Sequence, residues 1–313
     1  MSMRVDHVTI AGSNLAALEQ AFAGIGLRPS YGGPHSNGVT HMSLLSFADG
    51  SYVELISTLE PGAVSPLWHA AIAGDGGPCA WAVSVEDVAA EAARVAALGV
   101  PAKGPVAMTR RRADGLLVEW ELAFLGDGEP GAMLPFLIKD RTPRAWRVPA
   151  ETRVEEAGLT GVAMVVLGVA ELAPAAETFQ HVYGWPAPHA DEAAGLGAVL
   201  AHFPGTPVAL AAPSAGGGWL DWRLARFSLS PCAFLLGATD LHEAAARFPL
   251  VEPATWFGRP VAWFDPGQLR GLRLGLIGAS IRSADTDSPA WPSARPGSGR
   301  RPRHPPPGDR PIG

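Results

Sequence analysis

The sequence predicts an α+β protein built of βαβββ modules used in pairs, four modules in two domains. Three observations carry that prediction. The order strand, helix, then a run of strands recurs four times at a spacing of about 60 residues. Within each copy the pattern switches from apolar stripes at helical spacing to apolar residues in alternation, the period of a half-buried strand. At 313 residues the chain also exceeds the roughly 150 residues of one ordinary domain.

In the first module residues 4–11 read as a strand and 14–25 as a helix. Asn14 is placed to cap that helix, Leu15, Leu18, Ala21, Phe22 and Ile25 form its apolar stripe, and Gly24 and Gly26 close it. Strands follow over 27–32, 39–47 and 51–58, with Asp49-Gly50 as the turn between the last two. The second module runs from a strand over 79–85 through an alanine-rich helix over 88–98 to strands near 105–110, 116–125 and 133–139. The proline- and charge-containing stretch 141–156 reads as a linker. A third module has a strand over 159–168, a helix over 172–183 and strands over 196–203 and 206–212. The fourth, weaker copy spans 231–277 with a short helix over 241–248. The expected division is therefore residues 1–145, 154–280 and a disordered tail, 281–313.

Composition bounds the function. Hydrophobic residues make up 47% of the chain and charged residues 17%, enough to bury a sizeable core. The net charge of −6 speaks against a nucleic-acid binder, which needs a basic face. The tail departs from the rest: it holds six Arg, three Asp and eight Pro with little apolar periodicity, so it is expected to stay solvated. Cys79 and Cys232 stand alone in apolar runs, which suggests buried, reduced thiols and a cytoplasmic protein. No apolar run approaches the ~20 residues that span a bilayer. Met1-Ser2-Met3-Arg4 leads straight into a strand, so no signal peptide is expected.

The chemistry-bearing residues sit inside strand patterns. His7 lies in Val5-Asp6-His7-Val8-Thr9-Ile10 and Glu54 in Tyr52-Val53-Glu54-Leu55-Ile56, each flanked by apolar alternation. Each should project from a sheet face, where a polar side chain is costly unless satisfied. A metal ligand, a general base, or a hydrogen-bonded core residue would each meet that need. His35, on a Gly-rich loop, can fold over a cavity mouth. A two-residue turn at Asp49-Gly50 sets Leu45 opposite Glu54 and leaves His41 about 13 Å away along the sheet; a three-residue turn sends His41 to the other face. Alternation turns part of Arg110-Arg111-Arg112 inward, where Arg110 or Arg112 can hold a substrate carboxylate. Trp120 is expected to pack between sheet and helix, and Glu119 and Glu121 to share one strand face.

Several motifs in order resemble one family. They are Asp6-His7-Val8 in the first strand, Gly32-Gly33-Pro34-His35, Leu44-Leu45-Ser46-Phe47 and Asp49-Gly50-Ser51-Tyr52-Val53-Glu54-Leu55. Asp114-Gly115, Trp120-Glu121-Leu122-Ala123 and Leu134-Pro135-Phe136-Leu137-Ile138 extend the match into the second module. The chain resembles the glyoxalase-like domain family of the vicinal oxygen chelate (glyoxalase, bleomycin resistance, extradiol dioxygenase) superfamily, closely over residues 4 to about 140 and by repeat pattern beyond. The resemblance implies a half-open barrel in which the first and fourth strands lie side by side. It places His7 and Glu54 on the catalytic and metal-ligand positions and suggests a divalent metal, with Zn, Fe, Mn, Ni and Co all suited to an imidazole and a carboxylate. It further implies lyase, isomerase or dioxygenase-type chemistry on a small oxygenated substrate, and a possible homodimer. His35, His41, Arg110 and Arg112 are the expected substrate contacts, His35 doubling as a third ligand. The second module departs from the pattern, offering Cys79-Ala80-Trp81 and Phe136 where superfamily members draw another ligand. In the third module Gly161 and Ala209 are expected at the places of His7 and Glu54. The rival expectation is a resistance-type protein of the same fold that sequesters a small molecule without catalysis.

Overall fold

The computed structural model describes residues 3–112, 114–149, 154 and 156–279. The tail over 281–313 lies outside the described residues. The strands form two eight-stranded curled sheets of identical topology. The first is built of β1 (Val5–Ala11), β2 (Ser30–Pro34), β3 (Thr40–Ser46), β4 (Tyr52–Thr58), β5 (Gly77–Ser84), β6 (Ala102–Arg111), β7 (Leu117–Leu125) and β8 (Phe136–Asp140), in the order β2-β3-β4-β1-β5-β8-β7-β6. The second repeats the order with β9 (Leu159–Gly168), β10 (His189–Ala193), β11 (Ala198–His202), β12 (Val208–Pro213), β13 (Ser230–Ala238), β14 (Leu250–Trp256), β15 (Arg259–Phe264) and β16 (Leu274–Ile277). Each sheet is two βαβββ modules joined where their first strands pair antiparallel, β1 with β5 and β9 with β13. Within a module the first and last strands run parallel, as β1 does with β4.

Helices cover one face of each sheet. In the first sheet they are α1 (Leu15–Gly24) and α3 (Val88–Ala97), capped by the Asn14 and Asp87 side chains, which accept from the amides of Ala17 and Ala90. Leu15, Leu18 and Phe22 pack against the sheet positions Val8, Ile10, Val53 and Leu55. Each such buried side chain stabilises the fold by about 1.5–3 kcal/mol. The cluster is continuous into the second sheet through Val165 and Phe179 of α5 (Leu172–Tyr183). The amide of Val162 donates to Ser51 Oγ across the junction at 2.9 Å. With one face of the first sheet consumed by helices, the alternate residues of the same strands face the other way, into the concavity.

Four elements lay outside the sequence pattern: the short helices α2 (His69–Ala73) and α4 (Arg144–Arg147), strand β10, and α6 (Trp219–Phe227), which precedes β13. The last helix, α7 (Leu241–Arg247), falls where expected. α4 lies in the stretch read as a linker.

One register decides between the two turns the sequence allowed, and another corrects the sequence reading. The Asp49-Gly50 turn is a three-residue loop: the Phe47 amide donates to Ser51 O, leaving Ala48 to Gly50 between them, and Gly50 takes φ +84°. Leu44, not Leu45, therefore pairs with Glu54, and one residue of slip exchanges the faces of a strand. In the second sheet Gly161 does not take the place of His7. His7 pairs with Ala82, whereas Gly161 pairs with Gly237 near the start of β9. The residue four before Ala11's counterpart Gly168, and opposite Leu235, is Met164. Ala209 does match Glu54, each pairing with the same position of the neighbouring strand, Val166 and Thr9.

Candidate functional site

The concave face of the first sheet encloses a cavity lined by residues of both modules, among them His7, His35, Glu54, Trp120, Phe136 and Arg110. It holds about 130 Å³ open to water-sized molecules, well above the roughly 10–15 Å³ that a single water needs. A small organic molecule fits such a space.

β1 and β4 set the two predicted residues side by side. His7 pairs with Tyr52, and Glu54 with Thr9, so His7 and Glu54 occupy neighbouring rows of one face. His7 Nε2 lies 4.0 Å from Glu54 Oε2. Its ring stacks on Tyr52 at 4.6 Å and meets the Phe136 ring edge-on at 5.2 Å. His7 Nδ1 is 2.8 Å from Asp6 Oδ1. Burial acts to raise the Asp6 pKa, but Arg147, then His7 and Arg144, outweigh it and hold the carboxyl well below its ordinary range. An ionised Asp6 only accepts, so His7 Nδ1 is the donor and Nε2 is turned to the cavity.

Glu54 is buried and satisfied on both oxygens. Thr9 Oγ1 donates to Oε2 at 3.1 Å, and His35 Nε2 stands 3.1 Å from Oε1. Burial would raise the Glu54 pKa; the His35 hydrogen bond, the His35 and His7 rings and Thr9 reverse this and bring it down to about 2. Glu54 is a carboxylate at neutral pH. His35 is placed by the loop after β2, whose backbone closes on Thr40 while His35 Nδ1 contacts Thr40 Oγ1 at 2.8 Å.

Beneath His7 lies an ion-pair cluster that sequence reasoning missed. Arg147 of α4 binds Asp140 through Nε at 2.5 Å, Asp6 through Nη2 at 3.2 Å and the Tyr52 hydroxyl through Nη1 at 2.8 Å. Arg144 joins Asp6 to Asp140 at 2.5 and 3.2 Å. The arginine partners of Asp6 are 138 and 141 positions away in sequence, so no local pattern marks them. Tyr52 could have been found: it shares the alternation of Glu54.

The remaining predictions divide. Arg110 lines the cavity; Arg112 does not, its guanidinium held by Trp146 O at 3.0 Å and Asp114 at 3.0 Å. His41 faces away from the cavity, beside Tyr31, because of the three-residue loop. Trp120 lines the cavity rather than packing under a helix, and Glu121, one residue on, turns outward to Arg141. Cys79 and Cys232 are buried free thiols. No described helix is long and apolar enough to cross a membrane.

A half-open barrel of paired modules with an acid and a histidine on adjacent first and fourth strands is the architecture of the vicinal oxygen chelate fold. The sequence matches the glyoxalase-like domain family over residues 5–183, and the chain belongs to that family. Among solved structures it is similar to a hypothetical protein from Staphylococcus aureus, with 13% identity and a TM-score of 0.59 over 88% of this chain and 100% of that one. It is also similar to a mutant of 4-hydroxymandelate synthase from Streptomyces coelicolor, with 12% identity and a TM-score of 0.58 over 90% and 94%. At such identities the likeness is one of fold. No curated protein matches the sequence.

Proposed function

We propose that the protein is a metal-dependent glyoxalase-like enzyme of the cytoplasm, performing lyase, isomerase or dioxygenase-type chemistry on a small oxygenated substrate. His7, Glu54 and His35 would hold the ion. The observation that supports this most is the aim of three donors. Both imidazoles are fixed at Nδ1, by Asp6 and Thr40, and both present Nε2 to the ionised Glu54. Fixing the distal nitrogen of a ligand histidine is the usual support of a metal site.

The donor types, two imidazoles and a carboxylate, suit a divalent cation. Two ligands each about 2.1 Å from a shared ion lie within about 4.2 Å of one another, and the two gaps around Glu54 are 3.1 and 4.0 Å. As the side chains stand, no group of three or more His, Cys, Asp or Glu among the described residues is arranged to hold a metal ion, so binding would require the side chains to shift. Glu54 instead accepts the His35 Nε2 proton, which ligation would displace, leaving Nδ1 to donate to Thr40. Zn, Fe, Mn, Ni and Co all accept two imidazoles and a carboxylate. A bound ion of this kind polarises a substrate oxygen or lowers the pKa of bound water. Asp6 holds the His7 ring in position, Thr9 orients Glu54, and Phe136, Trp120 and Leu122 keep the cavity walls dry.

A second reading, ligand sequestration without catalysis, draws on the second module. Where His7 faces β5 and β8 it meets Ala82 and then Phe136, neither of them a ligand. Elemental analysis of the purified protein, after incubation with each of the five metals, separates the two. Near-stoichiometric metal in the parent and none in the His7→Ala, Glu54→Ala double variant supports the enzyme. A parent that binds none of them leaves sequestration.

A further inference from the structure

Arg110 is a buried charge that makes no ion pair among the described residues, although the Glu54 carboxylate acts on it from across the cavity. It sits on β6 at 7% exposure and lines the cavity. Its Nη2 donates to Arg147 O at 2.9 Å, its Nη1 reaches only the Met42 sulfur at 3.6 Å, and its Nε has no partner. Among the described residues no Asp or Glu forms an ion pair with it. The other buried arginines make more bonds: Arg147 has two carboxylates, and Arg223, which has no carboxylate and an unpartnered Nε, donates from Nη1 and Nη2 to the carbonyls of Gly76, Pro78 and Pro231. A guanidinium does not discharge, and leaving one buried without an anion is strongly unfavourable. Sequence alternation brought Arg110 inward, and the curl of the sheet carries it from the β6 edge across to Met42 of β3.

We infer that Arg110 is the anchor for a carboxylate on the substrate, so that the cavity takes a small aromatic or apolar acid. The acid group lies at Arg110 and the body lies against Trp68, Trp120, Met108 and Phe136. The inference rests on the site proposed above and narrows it. With a divalent ion on Glu54, the cavity carries an excess of positive charge, because Arg144 and Arg147 are already neutralised by Asp6 and Asp140. An anionic substrate restores the balance. A single guanidinium suits the one negative charge of a carboxylate, and its fork matches the two oxygens; a phosphoryl group calls for a second cation.

The test is calorimetry on the full chain with phenylacetate, its uncharged isostere phenylacetamide, and benzylphosphonate. Each is titrated into the parent, Arg110→Gln, Arg110→Lys and, as an off-cavity control, Arg112→Gln. Phenylacetate affinity should fall about tenfold or more in Arg110→Gln, the scale of a lost charged hydrogen bond. It should be partly kept in Arg110→Lys, which also serves if the Gln variant fails to fold, and unchanged in Arg112→Gln. Phenylacetamide should not distinguish parent from variant. Absence of phenylacetate binding to the parent, or binding indifferent to Arg110, overturns the inference. So does Arg110-dependent binding of benzylphosphonate alone. Repeating the titration with chelator and in the His7→Ala, Glu54→Ala variant separates the two readings. Arg110-dependent binding without any metal site sinks the metal reading only, whereas metal binding with an acid that ignores Arg110 sinks this inference only.

Discussion

The two sheets share one topology and have opposite interiors. Across the first, one row reads His7, Ala82, Phe136; across the second, the matching row reads Met164, Leu235, Gly275. The next row replaces Glu54 and Thr9 with Ala209 and Val166. The first concavity is hollow and carries charges. The second is packed, with Met164, Leu200, Leu235, Trp256 and Trp263 in one apolar cluster. Trp263 lies against Gly275, where a Cβ would meet its ring at 2.9 Å, so the large side chain fills what Phe136 leaves open in the first sheet. The fold thus tolerates either a site or a core at the same place.

Writing the second interior into the first gives the largest expected effect. The His7→Met, Glu54→Ala variant should lose metal affinity by more than about 100-fold, since losing even a hydrogen-bond partner of a ligand costs about 10–100-fold, while remaining folded. Elemental analysis and circular dichroism check it, and full metal retention would sever the two residues from the site.

Next come changes that break the support of each interior. Asp6→Ala should destabilise by about 3–5 kcal/mol, because it leaves buried Arg147 short of a carboxylate. Trp263→Ala should cost a similar 3–5 kcal/mol through cavity formation. Its counterpart Phe124→Ala should cost clearly less, Phe124 being only half buried. Urea titrations compare the three; equal losses for Trp263 and Phe124 would mean the interiors are packed alike.

Acid should reach the first sheet before the second. The Glu54 pKa is lowered on folding from its ordinary 4.5 to about 2, so the folded state binds fewer protons than the unfolded state. The stabilisation is complete above 4.5 and is lost as pH falls toward 2. Glu54→Gln should flatten the stability profile across that window. An unchanged profile would place the acid sensitivity elsewhere. The smallest effects belong to residues that face away from the cavity. His41→Ala and Arg112→Ala should leave ligand and metal binding intact and shift stability by no more than about 0.5 kcal/mol, measurable by thermal melting.

The βαβββ repeat was legible because alternation and helical stripes are local. His7 and Glu54 were legible because each interrupts an apolar strand. Faces at a distance depended on one loop: an extra residue between Phe47 and Ser51 moved His41 off the cavity and put Leu44 beside Glu54. Met164 rather than Gly161 stands at the place of His7 for a separate reason: β9 begins earlier relative to its partner strand, so Gly161 pairs with Gly237 and Met164 with Leu235. Asp6 with Arg144 and Arg147 was hidden for another reason. Pro143 and dense charge read as a solvated linker, and pairing over 138 or more positions leaves no trace in spacing. Arg110 was singled out by alternation together with Arg112; only the curl of the sheet and the partners of each guanidinium tell them apart.

The position of α4 bears on how this site could be moved. The chain leaving the first sheet at Asp140 does not run directly to β9; it turns back and sets Arg144 and Arg147 under His7 and Tyr52. The portable unit is therefore not the eight-stranded sheet but the sheet with its tether. A graft or permutation that opened the chain between residues 140 and 147 would carry over both metal-type side chains and every cavity wall drawn from the strands. It would leave Asp6 without the arginines that keep it ionised, and the orientation of His7 would go with them.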